Sequence, residues 1–193
     1  MSVAQEFQKA NEAYASSFNK GDLPMPPARH VAVLTCMDAR LHPARFLGLE
    51  IGDAHVIRNA GGRASDDAIR SLAISQQLLG TNEVVVIHHT DCGMLTFSNA
   101  DLHAKVQQEL HADASSIDFL PLRNLEQSVR DDTTFLRASS LIPESIEITG
   151  FIYDVSTGKL LSVQLPFHNP GVRTRICEIG GHRLNGNHTL YRY

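Results

Sequence analysis

The sequence predicts an α/β fold, with a central, mostly parallel β-sheet, an antiparallel edge strand, flanking helices and an extended N-terminal helix. Three observations predict it. Short apolar, β-branched runs recur at 30–35, 54–58 and 83–88, the signature of strands buried on both faces. Helical patterns alternate with or follow them, as parallel βαβ units require. Late in the chain, two apolar runs flank Asp154-Val-Ser-Thr-Gly158, a hairpin signal that supplies an antiparallel edge.

In chain order, Val3, Phe7, Ala10, Tyr14 and Phe18 fall three or four residues apart, on one face of a helix. Gly21, Pro24, Pro26 and Pro27 break that helix and form a stiff linker. Such an arm packs either on its own domain or on a partner subunit. His30–Thr35 is the first core strand and Ala54–Arg58 the second, closed by Asn59-Ala-Gly-Gly62. Asp66 and Asp67 open a helix running to about Leu79, with Ile69, Leu72, Ala73 and Leu79 on one face and Gly80 as its stop. Glu83–His88 is the most β-branched run and the third strand. Further helices are expected near 101–112 and 122–139, and hairpin strands at Ser145–Tyr153 and Lys159–Leu165.

With 193 residues, the chain fits one domain comprising an N-terminal arm (1–29), a body and a C-terminal extension (166–193). An apolar fraction of 42% supplies a core, and a net charge of −4 argues against nucleic acid as partner. No run approaches the roughly 18 apolar residues of a membrane span, so no membrane partner is expected. The polar N-terminus does not read as a secretory signal. Three cysteines without close spacing make a disulfide framework improbable and fit a reducing, cytoplasmic compartment.

In open α/β sheets, ligands bind beyond the carboxyl ends of the strands. Two polar clusters fall there: Cys36-Met-Asp38-Ala-Arg40 after the first strand and His89-Thr-Asp91-Cys92-Gly93 after the third. Alone, Cys36 reads as a core cysteine and His89-x-x-Cys92 as a weak signal. If the two strands are neighbours, Cys36, His89 and Cys92 converge on one point as a zinc donor set. Three protein ligands with an open fourth position is the catalytic arrangement, whereas structural zinc normally has four. Two thiolates make such a metal electron-rich, so its water needs a partner. Arg40 can hold Asp38 ionised and oriented for that task, and Asp38 can alternatively become a ligand itself. His88, one residue from His89, should face the other way. Asp91 reads as a turn former rather than a ligand, and Cys177 as a bystander.

These stretches resemble a β-class carbonic anhydrase. The matching segments are Cys36–Arg40, Val56-Ile-Arg-Asn-Ala-Gly-Gly62, Asp66-Asp-Ala-Ile-Arg-Ser71 and His88-His-Thr-Asp-Cys-Gly-Met94. Leu141-Ile-Pro-Glu-Ser145 leading into Gly150–Gly158 matches as well. The likeness spans about residues 1–165 and is greatest to the compact branch of that family. It implies one Zn2+ per subunit on Cys36, His89 and Cys92, with Asp38 and Arg40 as a catalytic dyad. It also implies a homodimer or homotetramer whose N-terminal helices embrace the neighbouring subunit. The implied reaction is reversible hydration of CO2 to bicarbonate by a zinc-generated hydroxide. Members of the same branch hydrolyse carbonyl sulfide or carbon disulfide with the same residues, so COS is the alternative substrate. A non-catalytic structural zinc protein is a third, remote reading, against which the retained Asp38 and Arg40 argue. His42 is a lead for the proton shuttle. The arginines and histidines after Pro166 either order over a neighbouring subunit or form a solvated extension.

Overall fold

A computed structural model describes residues 2–165. The expectations for Cys177 and for the extension 166–193 therefore lie outside the described residues. Among the described residues, five strands form one sheet: β1 (Val31–Cys36), β2 (Ala54–Asn59), β3 (Glu83–His89), β4 (Glu147–Tyr153) and β5 (Leu160–Ser162). Their order is β2-β1-β3-β4-β5, with the first four parallel and β5 antiparallel to β4. The predicted fold class is the observed one. The placement of β1 between β2 and β3 brings the two polar clusters together, because adjacent parallel strands end side by side.

Five helices accompany the sheet among the described residues: α1 (Val3–Ala15), α2 (Pro43–Leu47), α3 (Asp66–Leu79), α4 (Asn99–Leu110) and α5 (Leu125–Ala138). The sequence pattern did not predict α2, whose five residues are too few to show a period. Its start is set by Pro43 in the first turn and its end by Gly48 in the left-handed conformation. Ser65 caps α3 by accepting from the Ala68 N–H, and Gly80 ends it at φ +71. Ser2 and Gln5 form a capping box on α1, but the helix stops at Ala15, short of Phe18.

Ala32 and Leu34 pair in register with Val84 and Val86, so all four side chains point to one face. There they join Ala68, Ile69 and Leu72 of α3 and Leu136 of α5 in a single apolar cluster. This cluster is the main stabilising element of the fold, each fully buried aliphatic side chain contributing roughly 1.5–3 kcal/mol. The N-terminal arm is different. No residue of α1 is buried, and Val3, Phe7 and Tyr14 are all more than half exposed. The linker does meet the domain, with Pro27 buried and the Ala28 N–H donating to Gly52 O at 2.9 Å, but α1 itself buries no residue against its own chain.

Beneath α5 sits a buried polar cluster that the sequence did not reveal. Arg63 forms a two-pronged ion pair with Asp132, Nε to Oδ2 at 2.8 Å and Nη2 to Oδ1 at 3.0 Å. Its remaining nitrogen donates to the carbonyls of Leu120 and Pro121. His88 Nδ1 is hydrogen-bonded to Ser128 Oγ at 2.8 Å. Its Nε2 lies 3.1 Å from Asp132 Oδ2, close but off the line of a hydrogen bond. Burial pushes the Asp132 carboxyl up, but His88 and Arg63 together outweigh it and hold the group below the usual carboxylate range.

Asp132→Ala leaves the Arg63 charge without its counter-ion, and the expected loss is about 3–5 kcal/mol in urea unfolding. An unchanged midpoint would contradict this. Because the folded-state pKa is depressed, the contribution is present above the unfolded value of about 3.9. It is lost as pH falls through the lower, folded-state value.

Candidate metal centre

β1 delivers Cys36 as its last residue and β3 delivers His89 as its last, with Cys92 one short turn later. The sulfur atoms and the nearest imidazole nitrogen all lie within 4.8 Å of one another. All three side chains are buried, with Cys36 at 4%, Cys92 at 3% and His89 at 0% exposure. His88 follows Val84 and Val86 to the α5 side, and its neighbour His89 takes the other side. This is the alternation expected of consecutive strand residues.

The donor atoms are prepared for a metal. His89 Nδ1 donates to the carbonyl of Thr90 at 2.9 Å, which fixes the tautomer and leaves Nε2 as a bare lone pair. That Nε2 is fully buried and has no hydrogen-bond partner among the described residues. A buried, unpaired nitrogen is costly unless something coordinates it. The Gly61 N–H donates to Cys36 Sγ at 3.3 Å. The hydrogen bond between the two sulfurs lowers the Cys36 thiol against the effect of burial and, together with burial, pushes the Cys92 thiol up. The two sulfurs thus titrate as a pair that shares one proton. A divalent cation would displace that proton and be neutralised by two thiolates. Soft sulfur with imidazole in this geometry fits Zn2+.

The close approach of backbone to backbone here depends on Gly62. A Cβ at that position would stand 2.8 Å from the Thr35 carbonyl carbon and 2.9 Å from the Cys36 nitrogen, and φ is +69. Only glycine lets the Asn59–Gly62 turn lie against the end of β1 without moving Cys36. Around the cluster, Leu41, Met94 and Leu122, with Phe46, Phe97 and Tyr153 partly buried, form an apolar wall.

Beside the donors lies the carboxylate–guanidinium pair. Arg40 Nε donates to Asp38 Oδ1 at 3.0 Å and Nη2 to Oδ2 at 2.8 Å, a bidentate fork. The Arg40 backbone N–H adds a third bond to Oδ1 at 2.8 Å. Asp38 Oδ2 stands 3.8 Å from His89 Nε2, so the carboxylate faces the donor cluster. The hydrogen bonds from Arg40 hold the Asp38 carboxyl well below the usual carboxylate range, against a smaller opposing effect of burial.

Asp91, expected only as a turn former, does more. It adopts the left-handed conformation at φ +54, and its carboxylate and carbonyl both accept from Arg40, at 2.7 and 2.8 Å. Arg40 thereby ties the turn after β1 to the turn after β3. Nothing in the sequence could show this, since the partners are 51 residues apart. His42 is exposed at the start of α2, without a side-chain capping bond.

The mostly parallel sheet gathers two thiols, an imidazole and an arginine-braced carboxylate at its strand ends, and the first three could together hold one metal ion. Residues 31–160 match the family model described as carbonic anhydrase. The chain is 46% identical over 164 residues to β-carbonic anhydrase 1 of Mycobacterium tuberculosis, covering 84% of this chain and 99% of that one. It is 36% identical to a carbon disulfide hydrolase of Acidianus sp. (strain A1-3), covering 79% and 84%. A crystal structure of carbonic anhydrase from Streptococcus mutans superimposes with a TM-score of 0.82 at 53% identity, covering 85% and 99%. The chain belongs to the β-carbonic anhydrase family, and it is an enzyme.

Proposed function

We propose that the protein is a zinc enzyme catalysing the reversible hydration of CO2 to bicarbonate, with Cys36, His89 and Cys92 as ligands and Asp38 and Arg40 as its catalytic pair. The observation that carries this reading is the convergence of the three buried donors, one of them an unpaired imidazole nitrogen, beside a carboxylate held ionised by Arg40. A Zn2+ ion held by these donors would supply Lewis acidity, making a nucleophile from water at neutral pH. The protein's own residues do the rest. Asp38, fixed by the Arg40 fork and facing the donors, accepts a hydrogen bond from the attacking water and turns a lone pair toward the carbon of CO2. Water adds to that carbon, one proton leaves to buffer, and bicarbonate is the product. The apolar wall of Leu41, Met94 and Leu122 suits a small nonpolar substrate.

A second reading has its own support, from the 36% identity to a carbon disulfide hydrolase. COS and CS2 present the same electrophilic carbon between two double bonds, so the same residues would serve their hydrolysis. The test is kcat/KM for CO2 beside kcat/KM for H2S release from COS, on one zinc-quantified sample. Preference for CO2 is the expected result; efficient H2S release with feeble CO2 hydration would transfer the assignment to sulfur substrates.

The exposed apolar face of α1 supports a homo-oligomer in which the arm of one chain lies on another. A dimer or tetramer mass in light scattering is expected, falling to the monomer mass when residues 1–29 are removed. A monomeric full-length chain would contradict it.

A further inference from the structure

Arg58 stands on β2, opposite Thr35 in register and one strand away from the metal donors. It takes no part in any ion pair among the described residues, and its side chain is spent on backbone carbonyls. Nε donates to the carbonyl of Cys36 at 2.9 Å, and Nη2 donates to the carbonyl of Asp38 at 2.7 Å. These two carbonyls flank Met37, the residue at which the chain leaves the sheet. Up to that point the position is set by the ladder, with the Met37 N–H donating to Asn59 O at 2.9 Å. Beyond it, Asp38 O also accepts the Leu41 N–H at 3.0 Å, closing the turn that aims Asp38 and Arg40.

We propose that Arg58 is a positioning residue for the reaction: one planar guanidinium, bonded to the carbonyls of Cys36 and Asp38, sets the ligand sulfur and the catalytic carboxylate relative to each other. The inference rests on the metal centre proposed above. A guanidinium presents its N–H groups in a fixed plane and so can hold two carbonyls at a defined separation. A lysine ammonium, a point charge on a flexible stem, holds no such separation. Arg40 fixes the Asp38 carboxylate from its side-chain end, and Arg58 fixes the same residue from its backbone end. With either missing, the carboxylate keeps its charge but loses its direction. Groups that orient metal ligands from outside the coordination shell typically change affinity or activity by about 10–100-fold when removed.

The test compares Arg58→Ala and Arg58→Lys with the wild-type protein. Zinc affinity is measured by chelator competition, kcat and KM for CO2 by stopped flow, and melting temperature by circular dichroism. For Arg58→Ala the expected result is a loss of about 10–100-fold in zinc affinity and a comparable fall in kcat, with KM little changed. Methylguanidinium at non-denaturing concentration should restore part of both in Arg58→Ala and alter neither in wild type. Arg58→Lys keeps the charge and the stem, carries the test if the alanine variant does not fold, and should stay impaired. Zinc affinity and kcat equal to wild type in the folded variants would overturn the inference, even if the melting temperature fell. Failure of the wild-type protein to bind stoichiometric zinc would instead overturn the metal centre, and this inference with it.

Discussion

Cys92→Ala is expected to lose zinc and, with it, the proposed CO2 hydration. Cys92 Sγ is one of three donor atoms in a site buried from water, and no further thiol or imidazole is grouped with them among the described residues. A two-donor site pairs His89 with a single thiolate, leaving the cation's charge half neutralised in an apolar surround. Zinc content after dialysis should fall to a small fraction of one per chain, and the hydration rate should fall in proportion. The fold should remain, because the sheet cluster of Ala32, Leu34, Val84 and Val86 does not depend on the sulfur. Circular dichroism of the variant checks that point. Full activity with zinc still bound would remove Cys92 from the ligand set.

Asp38→Ala is expected to separate metal binding from turnover. Asp38 is not one of the three clustered donors, and its carboxylate is already satisfied by three bonds from Arg40. Zinc content and melting temperature should therefore change little. Turnover should fall by about 10²–10⁴-fold, the usual contribution of a positioned group that manages a proton or its hydrogen bond. Because Arg40 holds Asp38 ionised far below neutrality, the wild-type pH–rate profile should show no limb from this carboxylate in the neutral range. Normal rates in the variant would sink the role assigned to the pair.

Much of this site was legible in the sequence because its residues sit where strands end. A β-branched run followed by a polar cluster marks a strand terminus. Two such termini on adjacent parallel strands must meet, and Cys36, His89 and Cys92 do meet. The bidentate contact between Asp38 and Arg40 was equally readable, since two residues of separation in a tight turn leaves little freedom. The elements that escaped are those without a period or without local partners. The helix Pro43–Leu47 is shorter than any window that reveals amphipathicity. Asp91, Arg63, Asp132 and Arg58 act across 20 to 69 residues of sequence, and their pairing exists only once the sheet has formed. The bare face of α1 was visible as a stripe of Val3, Phe7 and Tyr14, but the stripe alone could not say which surface would cover it.

Whether this site is a zinc-dependent catalyst is decided by measuring CO2 hydration by the apoprotein as Zn2+ is added stepwise. The rate should rise in proportion to bound zinc and stop rising at one ion per chain. Saturation of the site with no CO2 hydration, or hydration that does not depend on zinc, would contradict zinc-dependent catalysis here.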